Sequence, residues 1–145
     1  MSTDLEALFS PKSKLFDVPA ADPSAAAAFF LGKLHFECDP SDVWHDIKEG
    51  VTGFTVLDVR SREAYESRHV VGAVSLPHWE ITPESVDGLG LDKATLYITY
   101  CWGTHCNGAT KGAAKLAALG YRVKEMIGGV PGWQAEGQPF EGTDV

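Results

Sequence analysis

Positive charge is what this chain has least of. Twelve lysines and arginines stand against twenty aspartates and glutamates in 145 residues, a net charge of −8, and no basic run offsets it locally. Such a field repels phosphate backbones and anionic lipid, which argues against nucleic acid and membrane surfaces as partners. Long apolar runs are missing too, and the opening Met1-Ser2-Thr3-Asp4-Leu5-Glu6 brings acids where a basic leader would stand. A cytoplasmic protein is expected. Cysteine is scarce: Cys38, Cys101 and Cys106 are all there are. An odd count argues against a secreted disulfide framework and favours free thiols in a reducing compartment.

What is present suits one soluble α/β domain. The hydrophobic fraction is 44% and the charged fraction 22%, and the length supports a single core. Residues 1–21 mix Ser, Pro, Lys and scattered apolar positions without a period, so they are expected to form a loosely held arm before a domain over 22–145. Asp22-Pro23 opens a helix through the alanines, with Gly32 as its expected stop. Leu34–Cys38 alternates like a strand, and Asp39-Pro40 caps a helix ending near Gly50. Phe54–Val59 reads as a strand buried in a parallel sheet, and Ser61 caps a short helix over Glu63–Glu66. Val70–Leu76 reads as another strand, and Thr82-Pro83 starts a helix. Thr95–Tyr100 is a further strand. Ala109, Ala113, Leu116 and Ala117 stripe the next helix, which Gly120 ends. Tyr121–Ile127 is the last strand, with Gly128-Gly129 and Pro131-Gly132 as turn signals. Alternating strands and helices imply a mainly parallel sheet with ligands beyond its carboxyl edge.

Cys101 falls at that edge. It opens the loop Cys101-Trp102-Gly103-Thr104-His105-Cys106 between a strand and a helix. Unpaired N–H groups and the helix dipole stabilise anions there, so its thiol is expected below the free-cysteine pKa and ready to act as a nucleophile.

The chain resembles the rhodanese-like family. Leu57-Asp58-Val59-Arg60, Glu63-Ala64-Tyr65, His69-Val70-Val71-Gly72-Ala73 and Leu76-Pro77 are similar to its first signature. Tyr100-Cys101, Leu119-Gly120-Tyr121-Arg122-Val123 and Gly128-Gly129 to Trp133 are similar to its second. The resemblance implies a five-stranded, mainly parallel sheet flanked by helices, with Cys101 carrying sulfur as a persulfide. A sulfane sulfur would pass from thiosulfate or a persulfide to a thiol or other nucleophile, with no metal and no cofactor. The N–H groups of Trp102, Gly103, Thr104, His105, Cys106 and Asn107 would converge on that sulfur and stabilise its anion. Asp58 and Arg60 are expected to pair as a support beside the site, His69 to be a hydrogen-bonded buried histidine, and Trp133 to anchor the C-terminal segment. Two departures stand out: the loop lacks the arginines common in the family, with its glycine one position early, and Arg68 replaces a glycine before His69.

Other readings stay open. Cys106 either attacks a Cys101 persulfide or sulfenic acid, or turns inward and packs. His105 either lends positive charge or faces solvent, Trp102 is a candidate pocket wall, and Cys38 reads as core. A zinc site from Cys101, Cys106, His105 and Cys38 lacks a second tight pair. Phosphatase or arsenate-reductase chemistry calls for an arginine where Asn107 stands, a position better suited to a helix N-cap, although Cys106 would let arsenate reduction or thiol redox run without it. A non-catalytic regulatory module is the remaining alternative. Monomer and homodimer are both compatible with the sequence.

Overall fold

The computed structural model describes residues 3–9 and 13–145. It divides into two compact units, Met1–Leu34 and His35–Val145. The first holds α1 (Thr3–Phe9) and most of α2 (Pro23–Phe36). The expected arm therefore carries a helix, while its residues 1, 2 and 10–12 lie outside those described. α2 runs through Gly32, where the expected stop does not occur, and on to Phe36, which leaves Glu37–Cys38 as all of the strand expected from Leu34. Phe29, Phe30 and Leu31 of α2 are exposed.

The second unit is built on a five-stranded sheet. Its strands are β1 (Glu37–Cys38), β2 (Phe54–Asp58), β4 (Val74–Ser75), β5 (Leu96–Tyr100) and β6 (Arg122–Met126), in the order β1-β6-β5-β2-β4. All four pairings are parallel. A second, antiparallel ribbon joins β3 (His69–Val70) to β7 (Phe140–Glu141). Val70–Leu76 is thus two short strands rather than one, because Gly72 turns the chain at φ +79°.

Alternation along the central strands sorts the core into two layers. Leu57, Val59, Tyr97 and Cys101 pack on one face with Ala109 and Leu116, whereas Val56, Ile98 and Tyr100 pack on the other with Val43, Val130 and Trp133. The first face is covered by α5 (Pro83–Gly88) and α6 (Gly108–Ala118). The second is covered by α3 (Pro40–Lys48), α4 (Arg62–Ser67) and α7 (Gly129–Ala135). Helix starts follow the sequence: Asp39 and Thr82 form capping boxes with Asp42 and Ser85, and Ser61 Oγ accepts from Ala64 N at 3.1 Å. Gly120 closes α6 as expected. At φ +90°, it lets its own N–H reach Ala117 O and that of Tyr121 reach Leu116 O.

Two details differ. The buried stripe of α6 is Gly108, Ala109, Gly112 and Leu116, with Ala113 half-buried and Ala117 exposed, because positions 108, 112 and 116 share the face turned to the sheet. Gly128-Gly129 and Pro131-Gly132 sit at the start of a helix rather than in turns, Pro131 being tolerated in a first turn that needs no donor from it.

Candidate active site

β5 and β2 run level, Tyr100 beside Asp58, so both strands end at the same edge. Tyr100 faces α7 and the next residue, Cys101, faces α6. Below the loop, Arg60 donates to both oxygens of Asp58, the shortest contact being 2.7 Å, and both side chains are almost fully buried. Tyr100 Oη donates to Asp58 Oδ2 at 2.6 Å and accepts from Val70 N at 3.0 Å. Arg60 also donates to the carbonyls of Arg68 and Ala64, and Trp102 lies over its guanidinium at 4.5 Å. Nε and Nη2 of Arg60 are thus directed at the scaffold. His69 Nδ1 is 2.6 Å from Tyr65 O, with its ring stacked on that of Tyr65. Trp133 is fully buried and donates to Pro139 O.

The sulfurs of Cys101 and Cys106 stand 2.8 Å apart. Both are free thiols, Cys101 buried at 4% exposure and Cys106 half-buried. They share an open cavity of about 740 Å³ lined by the whole loop from Cys101 to Asn107, by Ala109 and Thr110 of α6, and by Glu125–Gly129. No lysine or arginine is among those lining residues. Glu125 is, and Thr110 Oγ1 donates to it. Trp102, Thr104, His105 and Asn107 are exposed. The loop is pinned from below, since Val130 N donates to Cys101 O at 3.1 Å. Gly129, at φ +54°, has to be glycine: a Cβ there would collide with Cys101 O and stand 2.7 Å from Gly103 N.

The charge distribution reverses one sequence expectation. Burial, then the hydrogen bond with Cys106, pushes the Cys101 thiol up to about 12 rather than down. It is Cys106 that lies below the ordinary thiol range. Burial opposes this, but the Cys101 thiol, the N–H groups of Gly108 and Trp102 and the Lys111 charge together outweigh it. Of the two thiols Cys106 is thus the readier to ionise. The loop N–H groups do not all converge on Cys101 either. That of Trp102 faces it, that of Cys106 goes to Gly103 O at 3.1 Å, and that of Gly108 goes to Cys106 Sγ at 3.4 Å. Asn107 occupies the N-cap position of α6 but makes no side-chain cap bond.

Three participants carried no sequence signal. Gly108 gives the sulfurs room, since a Cβ there would lie 2.8 Å from Cys101 Sγ and 3.4 Å from Cys106 Sγ. The His78 ring faces the same spot, and burial followed by Lys115 and Lys111 lowers its pKa. Glu125 reaches the cavity from the end of β6. Cys38 is a partly buried neighbour of the second core layer, with its thiol pushed up to about 12 by burial. Among the described residues no three His, Cys, Asp or Glu side chains gather as a metal ion would need.

Residues 39–136 match the Rhodanese-like domain family, from the cap of α3 to the end of α7. The chain belongs to that family. Its fold is that of rhodanese-like structures: an Anabaena rhodanese-like domain is 28% identical with a TM-score of 0.66, over 74% of this chain and 80% of that one. The BH2092 protein of Bacillus halodurans is 46% identical with a TM-score of 0.81, over 85% and 88%. A thiosulfate sulfurtransferase of Pseudomonas putida is 31% identical across 57% of this chain and 72% of its own. An HTH-type transcriptional regulator of Mycobacterium tuberculosis is 28% identical across 98% of this chain, which spans 61% of that protein's length. No helix among the described residues is long and apolar enough to cross a membrane.

Proposed function

We propose that this rhodanese-like chain is a sulfurtransferase that carries a sulfane sulfur on Cys101. The observation that bears the reading is Cys101 at the carboxyl end of β5, opening a loop that walls a cavity and touching the sulfur of Cys106. With Cys106 ionised, Cys101 passes its proton to that thiolate, 2.8 Å away, as its Sγ attacks a sulfane sulfur, so no free Cys101 thiolate has to persist in the resting protein. The Trp102 N–H would hold the resulting Cys101 persulfide anion, which a thiol then attacks. Phosphoryl or arsenate chemistry has less support, because no guanidinium lines the cavity to grip equatorial oxygens. A regulatory use of the same loading is favoured by the likeness to a transcriptional regulator along nearly the whole chain.

The test is intact mass after incubation with thiosulfate or a low-molecular-weight persulfide. Cys101 should gain sulfur at the earliest times after mixing, and Cys101→Ser should gain none while unfolding as cooperatively as the parent. Turnover in Cys101→Ser near the parent rate would end the assignment.

A further inference from the structure

We infer that Cys106 resolves the Cys101 persulfide within the chain, forming a Cys101–Cys106 disulfide and expelling hydrogen sulfide. This rests on the sulfur-transfer reading and specifies what becomes of the sulfur.

The two sulfurs already meet. Cys106 Sγ stands 2.8 Å from Cys101 Sγ, inside the ordinary contact distance of two sulfur atoms. The intervening chain is folded into a closed turn by Cys106 N donating to Gly103 O, with Gly103 at φ +149°. Gly108 presents no side chain to either sulfur, and its N–H points at Cys106 Sγ. A competing acceptor thiol has to diffuse through the cavity to a Cys101 that is 4% exposed, whereas Cys106 is in contact beforehand. That difference in effective concentration favours the internal reaction. Cys106 is also the more readily ionised thiol of the pair, which suits an attacking sulfur.

The atom Cys106 touches is the inner sulfur, so that is the atom attacked. A donor persulfide first gives its sulfane sulfur to Cys101 and leaves as a thiol. The Cys106 thiol gives its proton to the outer sulfur of the persulfide anion, its thiolate bonds to Cys101 Sγ, the bond from Cys101 to the outer sulfur breaks, and that sulfur departs with the electron pair as hydrosulfide. The two thiols are oxidised by two electrons and the sulfane sulfur is reduced by the same two, so a single turnover requires no further reactant. The disulfide halts the site until an external dithiol reduces it. Persulfide therefore switches the loop, and repeated turnover depends on a reductant of the dithiol class.

The experiment uses the whole chain, reduced and anaerobic, mixed with one equivalent of a low-molecular-weight alkyl persulfide, alkylated at intervals and weighed intact, with sulfide measured alongside. The expected result is a parent that loses two hydrogens and releases one equivalent of sulfide, while Cys106→Ser and Cys106→Ala both hold one added sulfur at Cys101. A parent that keeps the added sulfur as long as the two variants do overturns the inference and leaves the sulfur-transfer reading intact. A disulfide without matching sulfide also overturns it. Absence of added sulfur from the parent and from both variants, without disulfide, overturns the sulfur-transfer reading and the inference together.

Discussion

Thr110 Oγ1 lies 2.9 and 3.0 Å from the two carboxylate oxygens of Glu125, which fixes that acid against the cavity wall. A negative charge held there opposes a dianion more than a monoanion, so thiosulfate should be a poorer donor to Cys101 than an alkyl persulfide. Glu125→Gln should raise kcat/KM for thiosulfate by roughly 5-fold, equivalent to about 1 kcal/mol for a solvated charge. The persulfide rate should move less, and salt should shrink the contrast. Arginine at Thr104 or His105 should act in the same direction. Steady-state kinetics with both donors checks this, and a parent that prefers thiosulfate refutes it.

The order of alkylation reads the proton shared by the two thiols. Cys106 should be labelled first, its rate levelling off at lower pH than that of Cys101, whose labelling should still be climbing at the alkaline end. In Cys106→Ser the neighbouring anion is gone, so the Cys101 profile should shift to lower pH. Peptide mapping of iodoacetamide adducts over a pH series decides it. Cys101 labelled ahead of Cys106 in the parent would contradict the assignment of charge.

Asp58 and Arg60 should be felt as stability. Removing one partner of a buried, hydrogen-bonded pair leaves the other charge uncompensated, so Asp58→Leu or Arg60→Met should cost ~3–5 kcal/mol. Their double variant should cost less than the sum, because no charge is then stranded. Denaturant unfolding of the three proteins measures the coupling.

Gly108→Ala separates the geometry of the sulfurs from that of the fold. The methyl would stand 2.8 Å from Cys101 Sγ, and overpacking of that kind costs about 1–3 kcal/mol, partly offset by the better helix former at the start of α6. Sulfur loading should fall by roughly 10-fold or more while the protein still unfolds cooperatively. Loading at the parent rate would mean the loop yields freely.

Much of this was legible in the chain. Capping residues at Asp39, Ser61 and Thr82 and the apolar strands before Asp58 and Cys101 state their structure locally, because caps and burial patterns act over a few residues. The same is true of Cys101 as the first residue of the loop. What was hidden depends on neighbours distant in sequence. The direction of the Cys101 shift comes from the depth at which α6 packs over it, Glu125 enters the cavity from another strand, and Gly108 matters only because two sulfurs meet beside it. Gly128-Gly129 read as a turn because the dipeptide carries no record of the loop carbonyl that both fits against Gly129 and directs the following helix. α2 overran its expected stop because one glycine does not outweigh the helix formers on either side.

β1 lies at the edge of the sheet, two residues long, with β6 as its sheet neighbour. Beyond it Cys38 O accepts from Ile127 N at 2.9 Å, and Ile127 and Gly128 are cavity wall. Peeling of that edge would open a way to the site with β5, β2 and the buried Asp58 network intact. Native-state hydrogen exchange should register it as an Ile127 amide that exchanges well before those of Ile98 and Tyr100, making the breathing of a short edge strand the clock for access to Cys101.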